Sequence, residues 1–196
     1  MRIRDTHKEE LVKKNAMKLI VKDGLKGFTM QKLADKCGIS VATLYIYYKD
    51  KDDLIHQLGH ECSVAFTREA LKGFSPEMNF KEGLYLQWEN RLRYTLDFRL
   101  EQQFYEILRH SPYADSVLAV STEEFRNVMR RFVTKAIDEG HLMKLPIEVF
   151  WSIAFGPLYN LIKFHLEKKS IGNRDYTLSR ADMDTAFQMV IKALTP

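Results

Sequence analysis

A chain of 196 residues has 30 Lys and Arg against 26 Asp and Glu, a formal net charge of +4. Its 45% hydrophobic and 29% charged residues exclude a disordered or fibrous chain and fit one large or two small globular domains. Apolar runs stay short of the roughly 18 residues a membrane helix requires. The opening MRIRDTHKEELVKK lacks the apolar core of a signal peptide. With only Cys37 and Cys62, no disulfide framework is expected. The expectation is a cytoplasmic protein with no membrane partner.

The charge is unevenly spread. Residues 1–51 hold 12 basic and 6 acidic side chains, a net of +6, whereas residues 52–196 hold 18 and 20, a net of −2. A basic N-terminal quarter suits a polyanionic partner.

In chain order, Thr6-His7-Lys8-Glu9 reads as a capping box that opens a first helix. Val12, Ala16, Leu19 and Ile20 keep helical period, and Gly24 is the expected stop. Arg2, Arg4 and Lys8 form either an arm near DNA or a frayed terminus. Thr29 can cap a second helix whose apolar face is Leu33 and Ala34, and Gly38 stands where the chain reverses with positive φ. Ser40 can cap a third helix. Val41, Leu44 and Tyr48 recur there at i, i+3 and i+7 as its packing stripe, leaving Ala42, Thr43, Ile46 and Tyr47 outward. This is a helix-turn-helix. A small, uncharged outward face flanked by Lys49 and Lys51 suits a major groove, where side chains reach base edges and lysines hold phosphates.

Residues 29–51 and the segment GLKGFTMQKLADKC before Gly38 carry a more specific likeness. GISVATLYIYYKDKDDL resembles the signature of the TetR family of bacterial transcriptional regulators, and the likeness covers about residues 6–60. Further along, the chain resembles the family only in helical layout. The resemblance implies an all-α fold: a three-helix DNA-binding head at 1–48, then a helical effector-binding and dimerisation body at 49–196. It also implies a dimeric regulator, most often a repressor, whose partners are double-stranded operator DNA, a second copy and a small lipophilic or aromatic effector. Carried over by position, Thr29, Ser40, Thr43, Tyr47 and Lys51 are expected at phosphates. Gln31 and Lys32 are expected at base or backbone, and Val41, Ala42 and Tyr45 at base edges or thymine methyls. The outward positions lack the Arg, Asn or Gln that make bidentate base contacts, so specificity is expected to lean on Gln31, thymine methyls and DNA shape. Ile46 departs from the aromatic or polar residue often found at its place.

Asp50 can cap a fourth helix of about 20 residues, with Asp52 and Asp53 in its first turn and Leu54, Leu58, Cys62, Ala65 and Phe66 on its buried stripe. Gly-Phe-Ser-Pro at 73–76 ends it. Helices are then expected at 80–94, 97–110, 122–139, 146–168 and 180–194, with Ser121 and Glu124 as a capping box, Ser179 and Asp182 at the last helix, and a loop from Lys168 to Thr177. The helix 146–168 is apolar nearly all round. It is therefore either central in its domain or faced by a second subunit, and Pro157 should kink it. The resemblance implies a four-helix interface with a twin, formed by Phe150, Ala154, Leu158, Leu161, Phe187, Val190, Ile191 and Leu194.

Trp88, Tyr94, Phe98, Phe104, Tyr105, Met129, Phe132, Phe155 and Tyr159 either line an effector pocket or are core, with Arg91, Arg93, Glu101 or Glu106 available as a polar contact. His56 and His60 lie four apart but lack a third ligand, so neither a metal nor a cofactor is expected. No phosphate-cradling glycine loop, nucleophile elbow or ligand cluster points to an enzyme.

Overall fold

The computed structural model describes residues 6–196. Among them it contains nine helices and no strand: α1 Thr6–Gly27, α2 Met30–Cys37, α3 Val41–Leu44, α4 Lys51–Ala70, α5 Phe80–Asp97, α6 Arg99–Arg109, α7 Ala114–Asp138, α8 Ile147–Glu167 and α9 Arg180–Leu194. The all-α expectation is met. Two differences in the boundaries are instructive. Gly24 does not end α1 but breaks it, with φ 71° and ψ 169°, and helical structure resumes as far as Gly27. The helix expected from residue 122 opens eight residues earlier, so position 121 falls in the interior of α7, and the Ser121 side chain of the expected capping box lies outside the described residues. The suggested arm at Arg2 and Arg4, and the Thr6 side chain of the first capping box, lie outside the described residues.

The chain packs as two compact units. The first runs up to Thr67 and takes in Phe98–Glu123; the second comprises Arg68–Asp97 and Glu124–Pro196. In the first unit, Ala16, Ile20, Phe28, Leu33, Ala34, Leu44 and Leu54 are fully buried, and Phe104 and Leu108 of α6 join the same core. Helices α1 and α6 pack against each other. Lys13 of α1 bridges Glu61 of α4 at 2.5 Å and Glu9 at 3.2 Å. Cys62 is buried with its sulfur 3.9 Å from Met17 Sδ, and burial pushes its thiol up to about 12, which makes it inert.

In the second unit, α5 and α9 both pack on α8. Trp88 is fully buried, and its indole N–H donates to the Ala154 carbonyl at 2.7 Å, one residue beyond the carbonyl that loses its partner to Pro157. The buried polar side chains Gln87 and Asn90 both donate to the Ala70 carbonyl at the end of α4, and Asn90 donates also to that of Lys72. They satisfy acceptors that a helix end leaves open.

Gly83 sets the approach of α5 to α7. A Cβ there would lie 2.6 Å from Phe132 Cε2, and that ring is held between Phe74 and Phe80. Gly83→Ala is therefore expected to destabilise the protein by about 1–3 kcal/mol through overpacking, outweighing the helix-propensity gain of up to about 1 kcal/mol. A lowered thermal midpoint checks this; an unchanged or raised one would mean that the Phe132 ring yields.

Candidate nucleic-acid interface

The hairpin of α2 and α3 is built by its caps. Thr29 is extended, and its hydroxyl accepts the Lys32 N–H at 3.2 Å. At the other end of α2, Gly38 is left-handed with φ 65°; its N–H reaches the Asp35 carbonyl while Ile39 N–H reaches that of Ala34. This pair of bonds is a Schellman closure, and it reverses the chain within two residues. Ser40 then caps α3, accepting the Thr43 N–H at 3.2 Å, and its hydroxyl lies 2.9 Å from the Thr43 hydroxyl.

Regular helix in α3 ends at Leu44, four residues short of Tyr48. Tighter turn bonds carry the chain on, from Ile46 N–H to Thr43 and from Tyr47 N–H to Leu44, before Tyr48 N–H bonds Leu44 at α-helical spacing. The altered winding changes the outward face. Leu44 and Tyr48 are buried as expected, but Thr43 and Tyr47 are only half-exposed, and Tyr45 joins Ala42 and Ile46 outside. Ile46 is 68% exposed and Tyr45 52%, so two large apolar side chains stand together at the tip. Ile46 is absent from the contacts carried over by resemblance; its apolar character on an outward helical position is the signal for it.

The basic groups differ in their commitments. Lys32 is exposed, with Nζ 2.8 Å from the Gly27 carbonyl. Gln31 is exposed and donates to Asp35 at 2.8 Å. Lys36 and Lys49 are exposed as well. Lys51 is half-buried and donates to the Leu25 carbonyl at 2.7 Å and to Phe28 at 2.9 Å, with its ammonium 5.7 Å from the Phe28 ring centre. The ammonium thus ties the start of α4 to the α1–α2 junction. At that start, Asp50 caps Asp53 N–H and Asp53 accepts Lys49 N–H, each at 2.8 Å. The bonds from Gln57 and from Lys49 N–H hold the Asp53 carboxyl below its usual range.

The residues expected around an effector are divided between the two units. Phe104 and Tyr105 pack in the core of the first unit. Trp88, Tyr94, Met129, Phe132 and Phe155 are buried in the second, and Tyr159 is 37% exposed. Around Arg91 a distinct cluster forms. Its guanidinium lies 4.2 Å from the Phe155 ring centre, 5.0 Å from Trp151 and 5.4 Å from Phe125, and Nη1 donates to the Tyr159 hydroxyl at 3.1 Å. A separate depression of about 430 Å³ lies between the end of α8 and the start of α9, lined by Leu161, Phe164, Ile171, Tyr176 and Ala186 with four polar residues.

Of the eight residues expected at a dimer interface, Phe150, Ala154, Leu158, Phe187, Val190 and Leu194 are buried inside their own unit, and only Leu161 and Ile191 are half-exposed. The apolar character of α8 is thus largely the unit's own core. Its outward side carries Trp151, Tyr159 and Asn160, and α9 adds Met189 at 56% exposure. A Cβ at Gly156 meets open space, so a bulky side chain there fills no internal cavity. Among the described residues, no three His, Cys, Asp or Glu gather as metal ligands, and no helix is long and apolar enough to cross a membrane.

A helix-turn-helix closed by capped turns thus precedes the otherwise helical remainder of the described chain. Residues 14–58 match the family model of bacterial regulatory proteins, tetR family. A TetR family transcription regulator from Marinobacter aquaeolei VT8 has the same fold at a TM-score of 0.83, with 26% identity over 100% of this chain and 99% of that one. A TetR-family transcriptional regulator from Haemophilus influenzae RD, 19% identical, superposes over the whole of both chains with a TM-score of 0.77. An uncharacterized HTH-type transcriptional regulator of Haemophilus influenzae is 32% identical over 73 residues, and the Bacillus subtilis regulator YuxN is 32% identical over 91. Those two matches span 39% and 31% of the relatives' own lengths. The matched N-terminal segment is thus similar to the tetR-family model, and the chain as a whole shares the fold of a TetR family transcription regulator.

Proposed function

We propose that this chain is a transcriptional repressor that binds operator DNA as a homodimer and is released by a small lipophilic or aromatic effector. The head, 1–48, reads the operator, and the body, 49–196, dimerises and takes the effector. The observation that carries the reading is the capped α2–α3 hairpin with Ala42, Tyr45 and Ile46 outward, in the part of the chain that holds the whole basic excess. Ser40 and Thr29 sit at helix starts, where side chains and backbone N–H groups suit phosphates. The Tyr45–Ile46 tip suits thymine methyls and deoxyribose, a readout by apolar contact and shape rather than by bidentate hydrogen bonds.

In a dimer, two heads must match half-sites on one face of the duplex, so head spacing decides affinity. An effector acts only through its different affinities for the two spacings, and operator must weaken effector binding by the factor by which effector weakens operator binding. The test is duplex binding across a range of salt, followed by paired titrations of effector and operator. The expected result is a log–log salt slope of several units and equal reciprocal factors. Salt-independent binding would remove the DNA-binding reading; a ligand of the body whose affinity ignores operator would remove the switching.

A further inference from the structure

Within the second unit, the segment that joins α8 to α9 folds back on itself. The Ser170 N–H donates to the Arg174 carbonyl at 2.8 Å, and Lys169 pairs with Asp175 at 2.7 Å. The Tyr176 N–H returns to the Lys168 carbonyl, at the end of α8, at 3.2 Å. Ser170, Ile171, Arg174 and Tyr176 of this segment form one wall of the depression between α8 and α9. Phe164 of α8 also lines it and meets the Tyr176 ring edge to face, with centres 6.1 Å apart. The far end of the segment is held by one side chain: the Leu178 N–H donates to His165 Nδ1 at 3.2 Å, and both residues are half-buried. The next residue, Ser179, opens α9 through its capping box.

We propose that His165 is an acid-sensitive latch on this segment. Neutral, it holds the segment as a wall of the depression; protonated, it releases the Leu178 end and opens that wall. A ring nitrogen accepts a hydrogen bond only while it carries no proton, so the Leu178 bond requires the neutral imidazole with its proton on Nε2. Protonation sets two N–H groups against each other. Burial, and then the neighbouring charge of Lys168, hold the imidazole below its ordinary pKa of 6.5. The carboxylates of the adjoining segments are engaged elsewhere: Asp175 with Lys169, Asp182 with Ser179 and Tyr176, and Glu89 and Asp184 with Arg180. Glu167, two residues along the same helix, does not face His165. The sign follows from the lowered pKa. The bond's contribution is fully present above 6.5 and is lost as pH falls through the lower, folded-state value.

The test is amide hydrogen exchange by NMR on the full chain at about pH 8 and about pH 5, on either side of the imidazole titration. Each rate is divided by that of an unstructured peptide at the same pH. Protection of the Leu178 and Tyr176 amides is expected to fall several-fold at the lower pH, because both bonds tie the returning part of the segment to α8. The Ser170 amide, bonded inside the segment, is expected to keep its protection. His165→Asn keeps an acceptor near the Nδ1 position and cannot titrate, so it is expected to hold Leu178 at both pH values. His165→Phe removes the acceptor and is expected to release Leu178 at both. Leu178 protection that is the same at the two pH values, that falls equally in His165→Asn, or that falls together with Ser170 would overturn the proposal. Should the variants fail to fold, the imidazole nitrogen shifts of the unsubstituted chain decide. They are expected to titrate below 6.5 in step with the Leu178 amide, and a midpoint at or above that value sinks the latch.

Discussion

Replacing Lys51 by Ala is expected to lower both stability and operator affinity. Two of its ammonium protons go to the Leu25 and Phe28 carbonyls, which lie at the α1–α2 junction. Losing a charged donor at a half-buried site costs about 1–3 kcal/mol, read as a lower thermal midpoint. The same junction precedes Thr29 and sets the start of α2, so the hairpin loses a brace. The third proton remains for a phosphate, and its loss is expected to weaken all duplexes alike and reduce the salt slope by about one unit. The two contributions separate cleanly. A lower midpoint with an unchanged slope makes Lys51 a brace alone. An unchanged midpoint with a shallower slope makes it a phosphate contact whose bonds to the two carbonyls contribute little.

Phe150→Glu is expected to unfold the second unit rather than merely separate subunits. Phe150 is 3% exposed in the core where α8 meets its own neighbours. A carboxylate there is buried without compensation, in addition to the lost ring, which amounts to about 4 kcal/mol or more. Far-UV circular dichroism should show the loss of helix. The association of two copies is tested instead on the outward side, with Leu161→Glu and Met189→Glu together. That pair is expected to give a helical monomer in sedimentation experiments where the unsubstituted chain is a dimer. An unsubstituted chain that sediments as a monomer at micromolar concentration would remove the dimer from the proposal.

These two substitutions also show where sequence reasoning runs out. Periodicity identified α8 as apolar nearly all round, but period alone cannot say whether an apolar face meets its own chain or another. Burial resolves six of the eight residues in question as core. Likewise the aromatics of 80–159 are visible in the sequence, whereas their division between two packing units depends on which helices touch. Arg91 stood among four equivalent charged residues until the helices brought three rings around it.

What the sequence determined by itself is the local architecture of the hairpin. Thr29, Gly38 and Ser40 act on backbone groups within five residues of themselves, so their roles can be read without knowing the fold. The same holds for the Ser179–Asp182 capping box of α9. Only the tertiary structure decided the rest. It committed the Lys51 ammonium to carbonyls 23 and 26 positions earlier in the chain, and it lent α6 to the core of the head. Each of these depends on contacts between residues far apart in sequence, and hydrophobic burial, being non-directional, encodes a partner's character but not its address.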